Sequence, residues 1–177
     1  MKKLVIVSIL IIISISCKSG PTQQVSSVAS VVPSPGTVKP AVYVTDNAGV
    51  IDDATRKELE TTLAALKEKK KIDFSVVTVK DINDNPIYDY SLHLAQERKK
   101  DRDLVEQNVH MLLLLVSVDD RRWHIQITRD LESHLTNEIL RDMSTPMTDS
   151  FWHKQYGEGI RKYVNAIIAK LDQLGIR

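Results

Sequence analysis

The chain reads as an α/β protein, a three-layer α/β/α sandwich with a mixed central sheet of about four strands and helices on both faces. Three observations predict this. Met111-Leu112-Leu113-Leu114-Leu115-Val116 is apolar without alternation, as expected of a central strand covered on both sides. Asp73-Phe74-Ser75-Val76-Val77-Thr78-Val79 is short and β-branched, the composition of a second strand. Segments with helical apolar spacing separate and follow these strands, and such alternation builds layered α/β domains.

Val42-Tyr43-Val44 predicts a short first strand, and Asp46-Asn47-Ala48-Gly49-Val50 a turn-rich loop after it. Asp52 or Asp53 is placed to cap a helix. That helix carries Leu59, Leu63 and Leu66 on one face. It ends in the cluster Lys67 to Lys71, where cations complement the helix dipole. After the second strand, Asn85-Pro86 predicts an N-cap with proline at the first helical position. Ile87, Tyr90, Leu94 and Ala95 supply that helix's buried face. Val109 to Val118 is the third strand, Asp119 to Arg122 a polar turn. Trp123, Ile125 and Ile127 alternate with His124, Gln126 and Thr128, which fits an antiparallel partner nearer the sheet edge. Leu135, Ile139, Leu140 and Met143 mark a third helix, stopped by Pro146. Ile160, Val164, Ile167, Ile168, Leu171 and Leu174 mark the last.

The N-terminus has a separate character. Lys2 and Lys3 precede an apolar run, Leu4 to Ile15. The run is shorter than the ~20 residues a membrane span needs, and the layout is that of a secretory signal. Cys17, the single cysteine of the chain, stands at its end. This resembles a bacterial lipoprotein signal, in which the junction cysteine is acylated, with chains such as palmitate, and becomes the mature N-terminus. Ser14-Ile15-Ser16 fits the usual junction except at Ser14, where leucine is commonest. The expected organisation is a signal peptide over 1–16, lipidated Cys17 and a Ser/Pro/Val-rich flexible tether over 17–40, and one α/β domain over 41–177. The protein is therefore expected outside the cytoplasm, lipid-anchored and facing the periplasm or cell surface. Lys18 is not the aspartate that retains lipoproteins in an inner membrane, so an outer membrane is compatible. A lone cysteine forms no internal disulfide, so the core must hold the fold. Formal net charge is +1, with basic residues dispersed among acids, which gives no basic stripe for nucleic acid.

Four stretches resemble the TPM domain family. They are Val44 to Asp52, Phe74 to Val79, Asn108 to Val116 with Asp120-Arg121-Arg122 and Ile125 to Ile127, and Phe151-Trp152 with Tyr156-Gly157-Glu158-Gly159-Ile160. The third is similar to the family's "NGVLLLV…DRR…I.I" core and the fourth to its "F..g.Y..G" close. The resemblance implies an α/β/α sandwich. It also implies two alternative activities: a non-catalytic module that binds or maintains membrane or envelope protein complexes, or a divalent-metal-dependent phosphatase. The chain departs from the pattern twice. Thr128-Arg129-Asp130-Leu131-Glu132 stands where the family has a glycine-rich "GyGLE" turn, and Val109, followed by His110, replaces the glycine of "NG".

Candidate sites follow from chemistry. Calcium or magnesium takes several oxygen ligands, often loop carboxylates, and Asp46, Asp130 and Glu132 are the candidate ligands, with Asp119 and Asp120 as outliers. Metal there polarises a phosphoryl oxygen in the phosphatase reading. The competing reading gives Asp46 an Asx-type turn and has Asp130 and Glu132 cap helices or pair with Arg121 and Arg129. No catalytic residue is assigned, because no nucleophile beside a base is legible. The five histidines lack zinc-site spacing; His124 reads as solvent-facing or hydrogen-bonded. Phe151, Trp152 and Tyr156 are candidates for contact with an unidentified envelope or membrane protein; the competing reading has them anchor the last helix.

Overall fold

A computed structural model describes residues 42–102 and 109–176. The signal segment, Cys17 and the tether lie outside the described residues. The elements run β1 (Val44–Asp46), α1 (Asp53–Lys70), β2 (Ile72–Val79), α2 (Ile87–Asp101), β3 (His110–Ser117), β4 (Arg122–Ile127), α3 (Arg129–Glu132), α4 (Asn137–Trp152) and α5 (Tyr156–Gln173). One four-stranded sheet has the order β1-β2-β3-β4. β1, β2 and β3 are parallel, and β4 runs antiparallel to β3, Leu114 opposite Ile125. The sheet is mixed and β4 is an edge, as the alternation of its sequence predicts.

The two faces bury different side chains because strand residues alternate. Phe74, Val76, Leu112 and Leu114 face α1, α4 and α5, where they meet Leu59, Leu63, Ile160 and Val164. Val77, Val79, Leu113 and Leu115 face Ala95 of α2. Helices thus cover both faces, which completes the α/β/α sandwich. The three parallel strands succeed one another in order while α1 and α2 take opposite faces. The two crossovers therefore have opposite hands, and one is the rare left-handed kind.

Local chemistry explains the boundaries. Asp52 caps α1, its carboxylate accepting from the Thr55 N–H at 2.9 Å. The lysine cluster ends α1, with Lys71 in the left-handed conformation at φ 56°; Lys70 and Lys67 leave solvent to pair with Asp172 at 2.9 Å and Asp73 at 3.3 Å. Edge strand β1 is guarded from α1: Glu60 accepts from the Tyr43 and Val44 N–H groups at 3.0 and 2.8 Å.

Three expectations are corrected. Pro86, not Asn85, is the N-cap of α2, and its carbonyl takes the first helical bond, from Tyr90 at 3.0 Å. Pro146 does not stop α4 but sits inside it. It lies on the exposed side, where the carbonyl its missing N–H leaves free is open to solvent, while Leu140, Met147 and Ser150 continue the buried side. Leu174 caps α5 and is exposed rather than core. The short α3 was not foreseen.

Candidate functional site

Both ends of the sheet carry candidate residues. At the carboxyl end of the parallel strands, β1 stops at Asp46 and the chain turns at Gly49, φ 69°. The Asp46 carboxylate accepts from the N–H groups of Gly49, Val50 and Ile51 at 3.0, 3.2 and 3.0 Å. The Thr78 hydroxyl on β2 also donates to it, and Arg56 of α1 approaches at 3.4 Å. The side chain has 0% exposure. Burial pushes its pKa up, but hydrogen bonds from Thr78, Ile51 and Val50 outweigh that and hold it below the ordinary carboxylate value. Asp46 is thus the Asx-type keystone of its own turn. Asp120, in the β3–β4 turn at the same end, is similarly engaged, accepting from Ser117 Oγ at 2.5 Å and Ile82 N at 3.0 Å.

Asp130 and Glu132 lie at the opposite end. β4 runs back along β3, so Ile127 pairs with Leu112 near the start of β3. Asp130 and Glu132 follow in α3, both exposed. The sheet therefore separates Asp46 from the other two candidate ligands. Among the described residues, no group of three or more His, Cys, Asp or Glu side chains is arranged to hold a metal ion. Asp130 instead pairs with His110 Nδ1 at the mouth of a cavity of about 660 Å³ between α2 and the ends of β3 and β4. The two departures from the family pattern thus meet: His110, next to the lost "NG" glycine, touches Asp130 of the lost glycine turn. No glycine is required there, since Arg129 and Asp130 sit in helical backbone after an extended Thr128, φ −72°.

His124 is half-buried on the α2 side, its ring edge-on to Tyr88 at 5.5 Å; burial lowers its pKa, opposed by a hydrogen bond with Gln126, so of the two expectations the hydrogen-bonded one fits.

Phe151, Trp152 and Tyr156 gather beside the carboxyl end of the sheet, at the junction of α4 and α5. Phe151 packs on Tyr156 with ring centroids 4.9 Å apart. Gly159 permits this packing: a Cβ there would lie 2.8 Å from the Met147 carbonyl and 2.9 Å from the Phe151 ring. Trp152 is 76% exposed. These side chains and Trp123 of β4 line a cavity of about 240 Å³. Arg121, Arg122 and Lys154 complete its wall, with no acidic residue among the described lining residues. Arg121 and Lys154 hold left-handed backbone, φ 54° and 59°, at the hairpin turn and just past α4. Sequence reasoning found the aromatic members and missed the basic ones. The only available signal was Arg121-Arg122 in a turn; their approach to α4 depends on the hairpin register.

A family model described as TPM domain matches residues 44–170. Among solved structures, the N-terminal domain of a P. gingivalis protein is 28% identical, with TM-score 0.66 over 77% of this chain and 86% of that one. The BA42 protein of the psychrophilic bacterium Bizionia argentinensis shares the fold at 11% identity, with TM-score 0.57 over 70% of this chain and 82% of that one. No curated protein matches the chain. The family match spans nearly all of the described sheet and helices, and the chain belongs to the TPM domain family.

Proposed function

We propose that this protein is an exported lipoprotein, held to a membrane through Cys17, whose TPM domain is a non-catalytic module that binds or maintains a membrane or envelope protein complex. The observation that carries the reading is the cavity formed by Trp123, Phe151, Trp152 and Tyr156, with Trp152 76% exposed at its lip. A tryptophan left in water beside a recess of one side chain's size is a typical interaction anchor. The Asp46 carboxylate, by contrast, is occupied by donors of its own turn and of Thr78. A lipid anchor and tether add to binding by raising the domain's effective concentration near membrane partners.

The test has two parts. Cys17→Ser is expected to release the protein from the membrane fraction while the domain keeps its thermal transition. Crosslinking in native membranes is expected to recover the same envelope protein repeatedly. Firm membrane retention of the variant overturns the anchor, and repeated recovery of the lipoprotein alone overturns the binding module. Calcium- or magnesium-dependent hydrolysis of a phosphomonoester by the purified protein, lost in Asp46→Asn or Glu132→Gln, establishes the phosphatase alternative instead.

A further inference from the structure

The cavity at the α4–α5 junction has a sign of charge that its surroundings lack. Residues 1–41 hold four of the chain's 24 Lys and Arg residues and none of its 23 Asp and Glu residues, so residues 42–177 carry a net charge of −3. Within that acidic domain, Arg121, Arg122 and Lys154 converge on one apolar recess. Arg122 is partly answered by Asp120. Arg121 and Lys154 pair with no carboxylate among the described residues. A local basic rim on an acidic domain focuses anions onto the recess.

Resting on the binding-module reading, the geometry points to the occupant: an acidic segment of a partner protein that inserts one apolar side chain between Trp152, Phe151 and Trp123 and sets its carboxylates against Arg121 and Lys154. The size supports this. About 240 Å³ is the scale of one bulky side chain, below the ~300–1,000 Å³ of ordinary small-molecule pockets. Two occupants from this chain itself fit poorly. The N-terminal segment is basic, with Lys2, Lys3, Lys18 and Lys39 and no acid. The C-terminal end is tied to α1, the Ile176 carbonyl accepting from Lys70 Nζ at 2.8 Å. An anionic bilayer fits poorly too, because a flat surface leaves the recess unfilled.

The chain's two tryptophans, Trp123 and Trp152, both line this cavity, so intrinsic fluorescence reports on it directly. The probe is a blocked pentapeptide with two acidic residues on each side of a central phenylalanine, added to the full chain in neutral phosphatidylcholine vesicles. A saturable change in tryptophan emission is expected. Replacing the phenylalanine by alanine, or the acids by lysines, weakens it about tenfold or more. The protein variant Arg121→Asn with Lys154→Asn, in which asparagine tolerates the left-handed backbone, weakens it similarly while the thermal transition stays in place. Equal binding of the lysine peptide, or full binding by the double variant, overturns the proposal. So does an emission change on anionic phosphatidylglycerol vesicles without peptide, which assigns the recess to lipid. If the crosslinked envelope protein is still recovered with the double variant, the cavity assignment fails and the binding module stands; if nothing is recovered even with the unmodified chain, the module itself fails.

Discussion

The Asp46 turn and the Trp152 cavity sit at the same end of the sheet, and they treat their polar groups in opposite ways. The Asp46 side chain is wholly buried, and three backbone amides, a hydroxyl and a guanidinium surround its carboxylate. Every lone pair is directed at the chain itself. At the cavity, Trp152 stands in solvent and Arg121 and Lys154 have no carboxylate partner among the described residues. Here the groups meet no partner among the described residues, and the proposed acidic segment would supply one. A saturated carboxylate is evidence for a fixed backbone, whereas solvent-facing aromatic and basic groups beside a recess are evidence for a partner. As sequence, both the acidic and the aromatic motif are site candidates; hydrogen bonding and exposure distinguish them.

The comparison is broken most directly at Asp46. Asp46→Ala leaves the turn amides, Thr78 and Arg56 without their acceptor, at an expected cost of about 3 kcal/mol. A urea midpoint within error of the parent would show that the carboxylate is free for another role. Gly159→Ala is next. Alanine normally improves a helix interior by about 1 kcal/mol over glycine, but here its methyl meets the Met147 carbonyl at 2.8 Å. A loss of about 2 kcal/mol is expected from the forced backbone shift. Gly157→Ala, where the nearest atoms are 3.5 Å away, is the control and should fall within about 1 kcal/mol of the parent.

Acid titration gives a smaller, signed effect. The Asp46 pKa is lowered in the folded protein. Its contribution is therefore present above the unfolded value of about 3.9 and lost as pH falls through the folded one. The thermal midpoint of Asp46→Asn should start lower at pH 6 and fall less steeply than the parent's on acidification below pH 4. Parallel curves would mean that Asp46 does not sense the fold. The smallest change in stability is expected at the cavity: Trp152→Ala should leave stability within about 0.5 kcal/mol of the parent. A large loss would make Trp152 part of the core and remove the contrast.

Legibility in the sequence followed the range of the interaction. The continuous apolar run of β3, the alternation in β4 and the Leu59–Leu63–Leu66 stripe report burial through local periodicity, and the structure has all three. The Asp52 cap was legible because its bond spans three residues. Pro146 misled, because a local breaker was weighed without the packing of α4 on α5 that keeps Met147 and Ser150 buried beyond it. The short α3 was hidden behind the missing glycines. Asp46, Asp130 and Glu132 were grouped as strand-end carboxylates, but the antiparallel return of β4 puts two of them at the far end.

From the sequence alone come the layered α/β class, the family and the buried side of the long helices and of β4, since periodicity, caps and motif order are properties of short stretches of chain. Strand order, the direction of β4 and the opposite placement of α1 and α2 belong to tertiary structure. They decided which acids are apart, that Thr78 meets Asp46 across 32 positions, and that a hairpin turn brings Arg121 to the end of α4. The reason is physical: a site built from groups distant along the chain exists only once the sheet and its packed helices bring them together.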